Sequence, residues 1–198
     1  EKSVAATKTF VTSVVAGLAL LARWSGDADL ARAVAALPES LSRAVACDWS
    51  EMVGALDGHS ALYVLGRGPG FAIANEAALK FKETCNIQAE SYSAAEVMHG
   101  PVAIVTPGYP VLGLAARDAA ETSVAEMAHK LAGQGAKAFL TSDLPGAAKP
   151  LPFAATGHSI TDPLALIVSF YGFVESLSRH GGLNPYLPPA LKKVTETG

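Results

Sequence analysis

Cysteine is nearly absent. The 198 residues contain Cys47 and Cys85, with no second cysteine near either, which excludes a CxxC redox pair and a zinc knuckle and leaves two reduced core thiols. Charge is scarce as well: 17% of residues are charged, the net charge is −3, and no run of lysine and arginine occurs. Nucleic acid, whose binding needs clustered cations against the phosphate backbone, is therefore not an expected partner. The longest apolar run near the front, Val14 to Ala22, is too short to cross a bilayer. No charged start precedes a signal-like apolar core with a small-residue cleavage site, so the expected compartment is the cytoplasm and no membrane partner is expected. Internal repeats and low-complexity segments are lacking. The glycine loop at 66–70 reads GxGxG, not GxGxxG, and no acidic residue ends a following strand at the usual distance, so a nucleotide site is not expected. The chain also starts at Glu1 without methionine, and an incomplete chain is the expectation.

Half of the residues are apolar. A chain of this length suits one domain that buries about 70% of the surface its unfolded form exposes, with apolar surface left for self-association. The elements alternate. Thr7 to Trp24 predicts a mostly buried helix, Asp29 to Leu37 a short helix stopped at Pro38, and Leu41 to Leu56 another, with Ser40 as its cap. Asp48, Glu51 and Asp57 read as a solvated face, and Trp49 and Met52 as core or interface filler. Strands are expected at 61–65, 88–92, 110–115 and 136–141, with a short last one near 153–156. Helices are expected from Phe71, over Asp118 to Leu131 and over Pro163 to Gly181. Such alternation implies right-handed βαβ crossovers and an α/β fold in which a five-stranded parallel sheet is flanked by helices, a flavodoxin-like three-layer sandwich. His158 beside Asp162 is read as a polar turn before the last helix, not as an acid-base pair.

The most informative stretch is 61–101. Ala61 to Leu65 is a buried strand that ends at Gly66-Arg67-Gly68-Pro69-Gly70. In the helix that follows, Ala74, Ala77, Ala78, Phe81 and Cys85 gather on the side that packs on the sheet, while Glu76, Lys80 and Glu83 project together from the other. Taken alone, those three are a solvated face with one i, i+4 pair. Their place after a strand and glycine loop, near the carboxyl end of a parallel strand where open sheets bind ligands, gives a functional reading equal weight. Ser93 is expected to cap a brief helix that Gly100 and Pro101 terminate, with His99 in its last turn, where the helix dipole favours an imidazolium.

Glu76-x-x-x-Lys80-x-x-Glu83, then Ala89-Glu90, then Glu96-x-x-His99-Gly100-Pro101 resemble the second SIS (sugar isomerase) domain of the glucosamine-6-phosphate synthase family and of its glutaminase-free relatives. Val4-Ala5-Ala6-Thr7-Lys8-Thr9-Phe10 is similar to the segment by which that family enters its second SIS domain. Leu191-Lys192-Lys193-Val194-Thr195 is similar to its tail. The resemblance implies a helical linker at 1–57 from a missing first SIS domain, a SIS domain at 58–181 and an extended tail at 182–198. It implies an aldose-ketose isomerase or deaminase acting on glucosamine 6-phosphate or fructose 6-phosphate. Glu83 would be the base serving both C1 and C2, with Glu76 and Lys80 positioning the sugar. His99, from the neighbouring subunit of a homodimer with a shared active site, would open the ring. Lys192 would form an imine with the ketose, with Lys193 beside it as the alternative. Val4, through its carbonyl, and Ala6 match sugar-contacting positions, although the family's serine is missing at Ala6. No cofactor or metal is implied. The family's Ser- and Thr-rich phosphate loops belong to its first SIS domain and are absent here, as is a glutaminase domain, so this chain by itself is expected to be an incomplete catalyst. The other reading is a phosphosugar-binding regulatory module, since SIS folds also serve as sensors.

Overall fold

The computed structural model describes residues 1–189 and 191–193; the tail motif from Val194 to Thr197 lies outside the described residues. The apolar run after Ser60 forms strand β1 (Ala61–Gly66), and β2 (Gln88–Ser93), β3 (Pro110–Gly113), β4 (Lys137–Leu140) and the two-residue β5 (Lys149–Pro150) complete one sheet. Its order is β2-β1-β3-β4-β5, every pairing is parallel, and this is the flavodoxin-like order for a doubly wound sheet. Alternate residues of β1 serve opposite layers, as the pleat requires. Leu62 and Val64 join Leu112, Phe139, Phe81 and Phe170 on one face. Tyr63 and Leu65 join Val111, Leu140, Val124 and Leu131 on the other. The first face is covered by α3 (Ser50–Ala55), α4 (Pro69–Cys85) and α6 (Asp162–His180), the second by α5 (Glu121–Gly133). The expected three-layer sandwich is thus observed.

Gly66 makes the strand-to-helix corner. A Cβ placed there would stand 2.7 Å from the Gly70 carbonyl oxygen and 3.0 Å from Ala74 Cβ, so the backbone of α4 could not approach β1 as it does. Gly68 then adopts φ 57° and Pro69 opens the helix, where its missing N–H is no loss. Gly66→Ala is expected to destabilise the fold by about 1–3 kcal/mol through overpacking, read from the midpoint of urea unfolding. An unchanged midpoint would contradict the close approach.

Several elements differ from expectation. Helix α2 (Ala28–Val45) runs through Pro38. Packing outweighs the lost backbone bond, because Leu30, Leu37, Ser40 and Ala44 are buried and Ser169 of α6 donates to the Ala44 carbonyl at 2.9 Å. The cap is Asp27, whose carboxylate accepts from Asp29 and Leu30 N–H; Ser40 sits in mid-helix and accepts from Arg43. Helix α1 (Lys8–Ser25) buries only Ala22 fully and leaves Trp24 85% exposed, contrary to the mostly buried helix expected. The last strand forms at 149–150 and not at 153–156, because Phe153 turns inward to the core beside Trp49, whose indole N–H donates to the Pro152 carbonyl at 2.9 Å. Residues 94–100 form consecutive turns, followed by a short 3-10 segment at Pro101–Ile104, in place of the capped helix expected. Burial of Ala94 and Val97 and a bond from Tyr63 to the Pro101 carbonyl at 2.9 Å hold that chain close to the sheet, which straightening into a helix would break. The dipole argument for His99 falls with the helix.

Candidate active site

Glu76, Lys80 and Glu83 share one stripe of α4, and the structure brings them together. The Lys80 ammonium lies 3.2 Å from Glu76 Oε1 and 2.6 Å from Glu83 Oε2. Their surroundings contradict the solvated-face reading: Lys80 is 3% exposed and Glu76 8%, while the Glu83 side chain keeps 21%. An ammonium taken out of water needs close counter-charges, and here two carboxylates of the same helix supply them. The cover comes from far along the chain. Tyr171 of α6 donates to Glu76 Oε1 at 2.8 Å; in the sequence it stands only as one of the stripe Leu164, Ile167, Val168, Tyr171, Val174 and Leu177 along this helix. Burial first, then its bond to Glu76 and that carboxylate's charge, raise the Tyr171 hydroxyl far above its ordinary range.

Beside the cluster opens a cavity of about 460 Å³, lined by Lys80 and Thr84 from α4, Tyr171 and Glu175 from α6, Ser3, Ala5 and Thr7 from the first segment, and Tyr186 from the tail. The first segment and the tail close on each other, with the Val4 N–H donating to the Tyr186 carbonyl at 3.2 Å and the Lys193 ammonium bonded to the Ser3 carbonyl. Val4 and Ala6 are half-buried here, while their neighbours Ser3, Ala5 and Thr7 form the wall. Lys192 is exposed on the same strand of tail. Glu1 folds back on α1 and accepts from the Thr7 and Thr9 backbone and hydroxyls; burial pushes its carboxyl up, but these bonds outweigh it and bring it down to about 2.

One expectation about placement needs correction. Because α4 links two parallel strands it runs back across the sheet, so only its first turn lies at the carboxyl edge. Glu76 to Glu83 lie about 10 to 20 Å further along at 1.5 Å per residue. His99, exposed, follows β2 at the carboxyl edge. Its neighbours Val97 and Met98 pack in the α5 layer, whereas α4 covers the opposite face. Within one chain, then, His99 follows residues packed on one face of the sheet, and the Glu76, Lys80 and Glu83 cluster stands on the helix that covers the other.

The remaining candidates are structural. Asp162 is 1% exposed and accepts from Arg117 N–H, Thr156 N–H and the Thr156 hydroxyl, fixing the polar turn expected at 158–162. Burial pushes the Cys85 thiol up to about 11, in keeping with an inert core thiol. Among the described residues no group of three or more His, Cys, Asp or Glu side chains is placed to hold a metal ion, and no helix is long and apolar enough to cross a membrane.

Comparison with known proteins bears on this geometry. The chain is 32% identical, over 98% of its length, to glutamine–fructose-6-phosphate aminotransferase (isomerizing) of Aeropyrum pernix, of which it spans 34%. Among solved structures, it is 55% identical to a provisionally named phosphosugar isomerase from Silicibacter pomeroyi DSS-3, with a TM-score of 0.88 over 92% of this chain and 56% of that one. Glucosamine-6-phosphate deaminase from Thermotoga maritima shares the fold, with a TM-score of 0.70 at 20% identity over 98% of this chain and 58% of that one. The chain thus spans about a third of the curated relative and about half of these solved chains. Residues 56–147 match the SIS domain family, and they take in the strand, the glycine loop, the charged helix and the His99 turns, so this stretch of the chain is a SIS domain.

Proposed function

We propose that the intact protein interconverts the aldose and ketose forms of a phosphorylated sugar, glucosamine 6-phosphate or fructose 6-phosphate, with or without release of ammonia. The observation that carries this reading is the buried Lys80 ammonium clamped between Glu76 and Glu83 beside an open cavity. Aldose-ketose isomerisation moves one proton between C1 and C2 of the open-chain sugar, and one carboxylate can serve both carbons if it is held still. Glu83 is the partner with access to solvent, and Lys80 bonds one of its oxygens. That leaves the other oxygen for the carbon-bound proton. Glu76 balances the second side of Lys80. A ketose imine on Lys192, or on Lys193, would make the adjacent proton more acidic through its cationic nitrogen. The tail's docking on the first segment beside the cavity supports this role.

In this reading residues 1–57 are the linker, 58–181 the SIS domain and 182–198 the extended tail, and the sugar phosphate is held by a further SIS domain of the intact protein. His99 acts across a two-fold interface. Its place after residues packed in the α5 layer, with Glu83 on the helix that covers the opposite face, supports that assignment. The test is turnover by the full-length protein: ammonia release and ketose formation from glucosamine 6-phosphate, and aldose formation from fructose 6-phosphate. Loss of both activities in a correctly folded preparation would overturn the reading. For the shared site, mixing His99→Ala subunits with Glu83→Gln subunits is expected to restore activity, because one of the two sites in each hybrid is then intact. A confirmed hybrid without recovery would sink it.

A further inference from the structure

The hydroxyl of Tyr171 has no part in the function proposed above, yet its placement is specific. The ring lies on α6, half-buried at the cavity wall, where phenylalanine would fill the same volume. What tyrosine adds is one donor, and that donor meets Glu76 Oε1 at 2.8 Å. The same oxygen is 3.2 Å from the Lys80 ammonium, which stands closer, at 2.6 Å, to Glu83 Oε2. The four groups form one chain: a hydrogen bond from Tyr171 to Glu76, an ion pair from Glu76 to Lys80, and a hydrogen bond from Lys80 to Glu83. A buried carboxylate draws on whatever donors it has. With the Tyr171 hydroxyl donating to that oxygen, Glu76 holds Lys80 by charge alone and leaves the ammonium's hydrogen bond to Glu83.

We infer that Tyr171 is a positioning residue for the reaction: by satisfying Glu76 it sets how the Lys80 ammonium is divided between the two carboxylates, and so fixes the orientation of Glu83. This inference rests on the isomerase reading. It concerns a residue that hydrogen-bonds to neither Glu83 nor Lys80 and acts through Glu76. Removing the hydroxyl leaves Glu76 drawing more strongly on Lys80. The Lys80 bond to Glu83 then lengthens, and the base loses its fixed aim at the C1 and C2 protons, which is a loss in the transition state and not in ground-state binding.

The experiment uses the full-length protein and four variants: Tyr171→Phe, Glu76→Gln, the two together, and Glu83→Gln as a control. Phenylalanine keeps the ring and its packing, so the fold is retained, and a thermal melt checks this. Tyr171→Phe is expected to lower kcat about tenfold with KM changed by less than about twofold, as for an interaction used only on the way to the transition state. In the Glu76→Gln background the same change is expected to add less than about twofold, since partners in one network are not additive. A Tyr171→Phe protein with wild-type kcat, or a full second loss on top of Glu76→Gln, overturns the positioning role. Three failures are separable: no turnover by the wild-type protein sinks the isomerase reading itself, active Glu83→Gln assigns the base elsewhere and removes the premise of this inference, and inactive Glu83→Gln with fully active Tyr171→Phe sinks only the role of Tyr171.

Discussion

Glu83→Gln in the full-length protein is expected to lower the rate of aldose-ketose interconversion by about 10²- to 10⁴-fold, the usual worth of a positioned acid-base group. The substitution preserves shape. The amide oxygen can still accept from Lys80, which approaches Glu83 at 2.6 Å, and the side chain keeps its partial exposure, so folding and sugar affinity are expected to hold. What is lost is the capacity to take a proton from carbon and return it. The signature is therefore a fall in kcat with little change in KM, measured by coupled assay of product formation. Turnover within about threefold of wild type would assign the base elsewhere.

Lys80→Met is expected to have the largest effect on stability. It keeps a linear side chain of similar length but removes the one cation that bonds both Glu76 and Glu83. Two carboxylates would then share a sparsely hydrated face, and breaking a buried pair by deleting one partner costs about 3–5 kcal/mol. In a chain of this size each kcal/mol moves the melting midpoint by roughly 2–4 °C, so a fall of about 6–20 °C is expected. The penalty comes from stranded charge and not from lost volume. Adding Glu76→Gln and Glu83→Gln to Lys80→Met should accordingly return much of the loss. A triple variant melting no higher than Lys80→Met would mean that the packing of the lysine stem, not its charge, holds this face.

The spacing of Glu76, Lys80 and Glu83 was legible because it is a local fact: eight residues of helix determine that these side chains meet. Their burial was not, since it depends on Tyr171 and the first segment, which reach the cluster only through the tertiary fold. For the same reason a solvated ion pair and a buried triad look identical in sequence. The β1 strand, the glycine corner and α4 were read correctly from an apolar run meeting glycine and proline. Pro38 misled because a helix stop signal was weighed without the burial of Leu37 and Ala44 that carries α2 through it. The turn at 94–100 misled for the opposite reason. Its residues have helical spacing, but Val97 and the carbonyl of Pro101 are tied to the sheet, and the chain follows those anchors. The tail's docking could be expected from its prolines only as an extended path, without its destination.

The two-residue strand β5 has a consequence for how copies of this protein behave when crowded. An open parallel sheet presents two edges to which a strand from another molecule could add, the usual start of ordered aggregation. On one side that growth is stopped within two residues, because Pro150 has no N–H to offer and Lys149, exposed beside it, carries a charge. The other edge, β2, is six residues long and reads Gln-Ala-Glu-Ser-Tyr-Ser, with Glu90 exposed near its centre. Stacking two such edges would bring like charges together in a polar ladder with little apolar gain. Both borders of the sheet therefore resist templated growth, one by chemistry of the backbone and the other by charge.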